Sequence, residues 1–387
     1  MERRTLFQLA GAAAFLRGSL TGQTAAPAAT PRATPPATPS ATPPARRPGQ
    51  GGHPEEFPGL ARRSTVAIEH GPDRRRNVYN ALKAIDQDLQ AKMKGKRYAI
   101  IKPNFVNTQN QLAASHADAM RGILDYLAES FKGPVVIAES SAGNTLQGYE
   151  NFKYSVLPAE YRQQQLKLID LNDEAQFERV ALLDSDLHIV PCRIAARLVD
   201  PEAFVISAAM LKTHNTVVAS LSIKNMVLGA PLHQANGDSA RWNEKRKYHV
   251  GLRQTHYNMM VTAQRLNWGA SVVDGWEGME GNGPNSGTPV ASRIALASTD
   301  FVAVDRVAAE TMGIDPEWLG YVKYCGQLGL GQFDGKKIDV IGARVADVRK
   351  PYRMHPDIER ELQWQGPMTD VPFNLGWTRA LGDDRPA

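Results

Sequence analysis

The stretch 208–231, AAMLKTHNTVVASLSIKNMVLGAP, places two lysines, one histidine and two asparagines in an otherwise apolar sequence. An ammonium group withdrawn from water is unfavourable by several kcal/mol unless an anion meets it, and that anion can be a protein carboxylate or a ligand. We therefore select Lys212, His214 and Lys224 as candidate catalytic residues. Lysines in such a site can act as bases once their pKa values are lowered, or can stabilise an oxyanion or a phosphoryl group. The alternative for Lys224 is a structural ion pair whose aliphatic stem packs on the core.

The elements around these residues can be predicted from apolar patterning. The run 203–209, AFVISAA, is typical of a buried strand, and 211–214 follows its end. Asn215 or Thr216 can then cap a helix over 217–228, in which Lys224 shares one stripe with aliphatic residues. Lys224 is thus expected to face away from bulk water. The carboxyl end of a strand in an α/β sheet is where ligands bind.

Two further strand ends carry polar residues. Lys102 and Asn104 flank Pro103 after the strand-like run 98–101, and we select both as ligand-binding candidates. The sequence ESSAGN at 139–144 follows the run 135–138, and its small residues could present backbone N–H groups to an anion. Taken alone, the cluster at 102–104 is more typical of a solvated strand end. The segment 139–144 matches neither a P-loop nor a GxGxxG motif.

The order of the predicted elements favours an α/β fold. Strand-like runs occur at 65–68, 98–101, 135–138, 166–170, 203–209, 270–273, 293–297 and 338–341. Helical patterns occur at 77–89, 118–130, 255–266 and 300–312. Such alternation predicts a mainly parallel sheet with helices on both faces. The less regular segments 142–165 and 230–255 are expected to form insertions over the crevice.

Five segments together carry a family resemblance. They are IKPNFV at 101–106, LKTH at 211–214, SIKNMVLG at 222–229, DGWEGMEGNGPNSG at 274–287 and ASTDFVAVDRVAAETMGI at 297–314. In order and spacing they resemble the domain of unknown function 362 family over residues 64–342. The resemblance implies a fold and a set of site positions, Asn225 among them, but no reaction.

The segment 274–284 holds three carboxylates separated by glycines, which allow sharp turns. The resemblance implies that this loop lines the same crevice as the lysines. Asp274 is therefore a candidate acid or base, and Glu277 and Glu280 are candidate ligand-binding residues. The three could also hold a divalent metal through oxygen ligands. The competing interpretation is a flexible acidic surface loop.

Asp300 and Asp305 complete the candidate ligand-binding residues. Asp300 precedes an apolar helix and is expected to cap it. Asp305 stands beside Arg306, where a surface ion pair would contribute little stability. The pattern of the family that the sequence resembles retains both aspartates, and we include them for that reason.

The termini suggest an exported protein. Residues 1–28 contain Arg3 and Arg4 before a modestly apolar run, similar to a twin-arginine leader that engages the export machinery. Residues 29–60 are rich in Ala, Pro and Thr, which predicts a disordered linker. The main domain is expected over 61–345, followed by an extended tail at 346–387. We expect a periplasmic or extracellular location and no transmembrane span in the mature chain.

Charge and cysteine content narrow the functional classes. The net charge of +5 comes from the first 50 residues, which carry six arginines and one glutamate, so the remaining chain is formally neutral. We therefore expect no nucleic-acid partner. Some members of the resembling family carry an iron-sulfur module, but this chain has only two cysteines and is expected to hold no such cluster. Cys192 and Cys325 could pair or remain reduced.

The leading hypothesis is an exported α/β protein that binds a small anionic molecule in a crevice lined by Lys, His, Asp and Glu. It could be an enzyme, with or without a divalent metal. The alternatives are a non-catalytic binding protein and a redox accessory protein.

Overall fold

A computed structural model describes residues 60–174, 176–234 and 242–366. The leader predicted at 1–28, the linker at 29–60 apart from Leu60, and the end of the tail at 367–387 lie outside the described residues.

The described chain forms a ten-stranded mixed sheet and a separate two-stranded sheet. The large sheet contains β1 (Ser64–His70), β2 (Tyr98–Lys102), β3 (Val135–Glu139), β4 (Lys167–Asp170), β7 (Ala203–His214), β8 (Val218–Ser220), β9 (Ala270–Glu280), β10 (Thr288–Val290), β11 (Ile294–Ser298) and β12 (Ile338–Gly342). The small sheet pairs β5 (Phe177–Leu183) with β6 (Ile189–Ala195).

The main strands follow the order β12-β1-β11-β9-β7-β2-β3-β4. Within this order only β11 runs antiparallel to its neighbours, because β9, β7, β2, β3 and β4 pair in parallel and β12 is parallel to β1. β8 and β10 are short antiparallel partners of β7 and β9. The mainly parallel α/β sheet expected from the sequence is confirmed.

Helices cover both faces of this sheet. They are α1 (Arg74–Ala84), α2 (Asp86–Met93), α3 (Ala117–Ser130), α4 (Thr145–Asn151), α5 (Leu157–Glu160), α6 (Ser222–Gly229), α7 (Leu252–Arg265), α8 (Phe301–Thr311), α9 (Gly320–Gln327), α10 (Val345–Val348) and α11 (Ile358–Glu361). Successive strand residues point to opposite faces. Ile101 accordingly packs with Leu82 and Ile123 from the first helices, whereas Ile100 packs in the core that contains α6 to α9.

Three segments differ from the sequence predictions. Residues 218–220 form β8, which folds back on β7, so the helix expected over 217–228 begins only at Ser222. The expected loop after 273 continues β9 to Glu280, because β10 and β11 supply backbone partners for it. The described part of the predicted extended tail includes two short helices, α10 and α11. Of the described helices, none has the length and apolarity needed to cross a bilayer.

Candidate functional site

A cavity of about 460 Å³ lies where the chain order of the sheet reverses. From β2 the chain proceeds through β3 to β4 on one side, and it later adds β7 and β9 on the other side. Ligands of open α/β sheets bind at such a switch point, outside the carboxyl ends of the strands. Lys102, Glu139 and His214 are the last residues of β2, β3 and β7, and all three line the cavity.

Lys102 is held firmly in the cavity wall. Its Nζ lies 2.8 Å from Oε1 of Glu139, and both side chains are 1% exposed. The same ammonium donates to the carbonyl oxygen of Pro103 at 2.8 Å and to Oδ1 of Asn225 at 2.9 Å. Burial lowers the pKa of Lys102, and the Glu139 carboxylate opposes that effect. All three donors of this ammonium are thus committed to protein acceptors.

Gly229 makes room for the Lys102 side chain. A β-carbon at this position would lie 2.0 Å from Cε of Lys102 and 2.1 Å from its Nζ. Contacts of that length are far inside van der Waals separation, so any larger residue at 229 would displace the ammonium. The glycine that ends α6 therefore has a packing role.

Lys212 lies behind the cavity wall. Its Nζ donates to Oδ1 of Asn104 at 2.5 Å and to the carbonyl oxygen of Ala113 at 2.9 Å. Burial, followed by the charges of Lys224 and Lys102, lowers the pKa of Lys212 well below its usual value. Lys212 does not line the cavity and has fixed partners, so its place is structural support.

Two asparagine amides connect the lysines. Oδ1 of Asn225 accepts from Lys102 and also from Nδ2 of Asn104 at 3.3 Å. Nδ2 of Asn225 donates to the backbone oxygen of Lys102 at 3.0 Å and to Oγ of Ser207 at 3.1 Å. The network therefore runs from Lys102 through both amides to Lys212, and it fixes the relative positions of β2, β7 and α6.

Lys224 differs from Lys102 and Lys212 in having no partner among the described residues. The side chain lies on α6, lines the cavity and is 7% exposed. In residues 60–174, 176–234 and 242–366, nothing forms a hydrogen bond or ion pair with its Nζ. Burial, with a second contribution from the Lys102 charge, lowers the pKa of Lys224 to about 8. An unpaired buried cation is energetically unfavourable unless an anion meets it.

His214 is a neutral imidazole at the end of β7. Its Nδ1 accepts a hydrogen bond from the backbone N–H of Thr216 at 3.0 Å. Burial lowers the pKa of His214 well below its usual value, and the charge of Lys224 lowers it further. The ring proton therefore resides on Nε2, because Nδ1 serves as the acceptor.

The described part of the insertion supplies two more groups to the cavity wall, Lys245 and His249. Nζ of Lys245 donates to the carbonyl oxygens of Leu228 at 2.9 Å and Pro231 at 2.8 Å. Burial lowers the pKa of Lys245 to about 7. His249 is exposed at the rim. An insertion over the crevice was expected at 230–255, and these two side chains lie on it.

Asp305 orients the helix that carries Lys224. Its two carboxylate oxygens accept from the backbone N–H groups of Ser222 and Ile223, each at 2.8 Å, and Asp305 is fully buried. Burial raises the pKa of Asp305 to about 8, against the effect of the two N–H donors. The surface ion pair with Arg306 that we considered from the sequence is therefore wrong. Asp305 lies on α8 and caps the start of α6 instead.

The C-terminal segment holds the loop between β7 and β8. Oε2 of Glu361 accepts from the backbone N–H of Val218 at 2.7 Å, and Glu361 is fully buried. Val218 has a φ of 68°, which is strained for a β-branched residue. Arg360 donates to the backbone oxygen of Asn215, which lines the cavity. These contacts fix one wall of the site.

Comparison with known proteins identifies the family. The sequence model described as "Domain of unknown function (DUF362)" matches residues 100–310, more than half of the chain. The chain belongs to this family. The matched range contains Lys102, Glu139, Lys224 and Lys245, so the described cavity lies within the DUF362 domain.

Two other proteins are similar to this DUF362 chain. The "Thylakoid-associated protein sll1697" of Synechocystis sp. (strain ATCC 27184 / PCC 6803 / Kazusa) is 26% identical over 196 residues, which cover 49% of this chain and 53% of that protein. The chain therefore spans about half the length of this curated relative. A crystal structure of a Thermotoga maritima protein covers 68% of this chain and 60% of its own, at 9% identity and a TM-score of 0.37. With so low an identity and TM-score, we infer nothing about this chain from that structure.

The carboxylates expected in the crevice of the DUF362 domain lie elsewhere. Oδ2 of Asp274 lies 3.1 Å from Nε of Arg74, in a pair buried beneath Trp276. Glu280 accepts from the backbone N–H of Arg353 at 2.9 Å. Neither they nor Glu277 line the cavity. The reason is that 270–280 is an extended, paired strand, and only the turn beyond it reaches the cavity wall, through Pro284 and Asn285.

Asp300 lies near the amino-terminal ends of the parallel strands, opposite to the cavity. It caps α8 by accepting from the backbone N–H groups of Val302 and Ala303, each at 3.0 Å, as the sequence predicted. It is not a cavity residue. Because β11 is antiparallel, its end at Ser298 pairs with the beginning of β9 at Ser271, so the residue after it lies far from the carboxyl ends of the parallel strands.

Within the described ranges, no cluster of metal-ligating side chains close enough to hold an ion lies at the cavity. Among the described residues, one group of three His, Cys, Asp or Glu side chains could hold a metal ion, namely Asp184, Asp186 and His188 on the turn between β5 and β6. The DUF362 cavity itself has Glu139 as its one carboxylate within the described wall, and Lys102 neutralises it. Cys192 and Cys325 are both buried and unpaired.

Lys245, His249 and Gly229 were not selected from the sequence as site residues. Lys245 lies within the less regular segment 230–255, and no periodic pattern there indicates which way its side chain points. The glycine at the end of SIKNMVLG is ambiguous, because a helix commonly ends at a glycine for conformational reasons alone. Its packing role depends on Lys102, which is more than one hundred residues away in sequence.

Proposed function

We propose that this DUF362 protein binds a small anionic molecule in the cavity, with Lys224 as the principal charged contact. The observation that carries the proposal is the buried Lys224 ammonium, which has no partner in the described part of the chain. Burying an unpaired charge is unfavourable, and an anionic ligand would remove that penalty. A volume of about 460 Å³ suits a small organic acid or a phosphate compound.

The charge balance of the cavity supports the same proposal. The described wall carries three lysines, 102, 224 and 245, and one carboxylate, Glu139. Because Glu139 is already paired with Lys102, the field inside the cavity is positive. The polar backbone atoms and amides of 104, 215 and 285 can then orient the ligand.

A divalent metal is not included in this proposal. None of the three carboxylates that would have supplied oxygen ligands lines the cavity, and two of them, Asp274 and Glu280, contact Arg74 and Arg353. The positive field of the wall also opposes a second cation near Lys224. Whether the bound anion is only held or also converted depends on the chemistry of Lys224.

Thermal unfolding of the 387-residue chain with matched compounds tests the binding site. Oxalate and phosphate are expected to raise Tm, whereas oxamide, the uncharged analogue of oxalate, is expected to leave it unchanged. The Lys224→Met variant controls for the general stabilisation that excluded salts produce. Equal shifts by oxalate in the wild type and in Lys224→Met would reject the site.

We further propose that the protein is exported through its twin-arginine-like leader. The support is the sequence Arg3-Arg4 before a weakly apolar run. Fractionation of a bacterial host should place the wild type outside the cytoplasm and retain the R3K/R4K double variant inside it. Equal export of both would contradict the twin-arginine route.

A further inference from the structure

The lysines of the cavity wall divide into committed and uncommitted amines. Lys102 donates to three protein acceptors, and Lys245 donates to two backbone carbonyls. To react with a ligand, either amine would have to leave these partners in a buried site. Lys224 has none to leave in the described chain, and it is 7% exposed on the cavity wall.

The surroundings of Lys224 suit a reactive amine. The Lys102 ammonium is fixed by Glu139 and Asn225, so it remains close while it disfavours a second positive charge at Lys224. The Lys224 side chain is largely withdrawn from bulk water, yet it borders a cavity that can admit a small molecule. A lysine that is desolvated beside another cation is the arrangement that activates an amine as a nucleophile at neutral pH.

We propose that Lys224 condenses with the carbonyl group of an anionic aldehyde or 2-oxo acid to form an imine. This inference rests on the proposed anion site, because the ligand carboxylate or phosphate is drawn in by the positive field of the wall. The side-chain amides of Asn215 and Asn285 on the cavity wall then donate to the anionic end. The carbonyl carbon is left facing Lys224.

The condensation proceeds in two balanced steps. The lone pair of neutral Nζ forms a bond to the carbonyl carbon while the C–O π bond breaks, and one proton passes from nitrogen to oxygen to give a carbinolamine. The second step breaks the remaining C–O bond, and the hydroxyl group leaves with the other Nζ proton as water. The product is an imine, which takes one proton from solvent when it becomes an iminium. No oxidant, reductant or metal is required.

His214 is suited to assist the loss of water. Its Nδ1 is occupied by the Thr216 N–H, so its proton is on Nε2, and no described residue accepts that proton. His214 lines the same cavity as Lys224. An imidazole N–H can donate to the departing oxygen and recover a proton from water afterwards.

Reductive trapping with glyoxylate tests the inference. The 387-residue chain is incubated with glyoxylate and sodium cyanoborohydride, which reduces an imine to a stable secondary amine. Peptide mapping by mass spectrometry then locates the carboxymethyl group. We expect Lys224 to be modified at least about tenfold faster than the exposed Lys92, because Lys224 lines the proposed anion site and its pKa is lowered to about 8. Excess oxalate, which has no reactive carbonyl, should protect Lys224 but not Lys92.

Matched variants separate this inference from the proposed function. Lys224→Arg keeps a cation but cannot form an imine, so by calorimetry it should still bind oxalate, although more weakly than the wild type, and it should lose the adduct. Oxalate binding by the wild type without a Lys224 adduct would overturn the imine and leave the anion site intact. If the folded wild type neither bound oxalate nor formed the adduct, the anion site and the imine would both be overturned. Modification of Lys224 at the rate of Lys92, without oxalate protection, would also overturn the imine.

Discussion

The Lys102 ammonium lies 2.8 Å from Oε1 of Glu139, with both side chains 1% exposed. This pair neutralises the one carboxylate among the described cavity residues and leaves the charge of Lys224 uncompensated. The same pair fixes the end of β2 against the end of β3. The proposed site therefore depends on a structural lysine and a free lysine that have similar burial and different partners.

Removing the Glu139 charge should destabilise the fold. Glu139→Gln leaves a buried Lys102 ammonium without its counter-charge, which typically lowers the free energy of unfolding by about 3–5 kcal/mol. Glu160→Gln is the control, because Glu160 pairs with Arg121 at the surface and should change stability by about 1 kcal/mol or less. Urea denaturation at pH 7 measures both. Equal denaturation midpoints for the two variants would contradict the assigned role of Glu139.

Gly229→Ala should disrupt the same pair from the other side. The new methyl group would overlap Cε and Nζ of Lys102, so the ammonium must leave Glu139 or α6 must shift. We expect a loss of unfolding free energy of about 2 kcal/mol or more, together with weaker anion binding. In Gly366→Ala the new β-carbon would lie 3.4 Å from the Gln363 oxygen, an ordinary contact, and stability should change by about 0.5 kcal/mol or less. Wild-type stability and binding in Gly229→Ala would refute the packing role.

Anion binding should weaken as pH rises through the range from about 7 to 8. The pKa of Lys245 is lowered to about 7 and that of Lys224 to about 8, so both ammonium charges are present below this range and lost above it. Calorimetric titration of oxalate between about pH 6 and about pH 9 should show the decline. In Lys224→Arg the part of the decline due to residue 224 should disappear, because arginine stays charged. A flat profile in the wild type would argue against contact with these lysines.

Lys224→Met should stabilise the empty protein at neutral pH. The folded state lowers the pKa of Lys224 from 10.5 to about 8, so the unfolded state binds more protons between these values. Unfolding free energy therefore rises with pH across that window in the wild type, and at pH 7 the charged lysine is unfavourable by roughly 3 kcal/mol. Methionine has a similar length and no charge. A destabilised Lys224→Met protein at pH 7 would show that Lys224 has a stabilising partner.

Glu361 should influence binding without touching the cavity. Glu361→Ala leaves the Val218 N–H without its acceptor and should lower unfolding free energy by about 1–3 kcal/mol. The loop that carries Asn215 and Thr216 would loosen, so oxalate affinity should fall as well. Glu361→Gln keeps an oxygen acceptor and should bind oxalate nearly as well as the wild type. If Glu361→Ala bound oxalate with the wild-type affinity, the contact between Glu361 and Val218 would have no influence on the site.

Local sequence patterns predicted the layers of the fold and part of the site. Apolar runs located the parallel strands, and polar residues after β2 and β7 indicated the edge at which Lys102, Asn104 and His214 meet. The aliphatic neighbours of Lys224 correctly indicated that it is buried. Its helix nevertheless begins later than expected, because the hydrogen bonds of β8 to β7 outweigh the helical pattern before Ser222.

The remaining features depend on contacts that are distant in sequence. The glycines of 274–284 indicated a loop, but backbone pairing with β10 and β11 keeps Asp274 to Glu280 in a strand. The antiparallel direction of β11 places Asp300 near the amino-terminal ends of the parallel strands. A single sequence carries no signal for that direction. Asp305 was also indistinguishable from a surface residue until its contacts with Ser222 and Ile223 were known.

The central claim is that the free ammonium of Lys224 binds an anion. Isothermal titration of oxalate into the wild type, Lys224→Arg and Lys224→Met at neutral pH measures this contact most directly. We expect one site in the wild type, weaker binding in Lys224→Arg, and a loss of about tenfold or more in Lys224→Met, the usual contribution of a charge-assisted hydrogen bond. Equal oxalate affinity in the wild type and in a folded Lys224→Met protein would contradict the account.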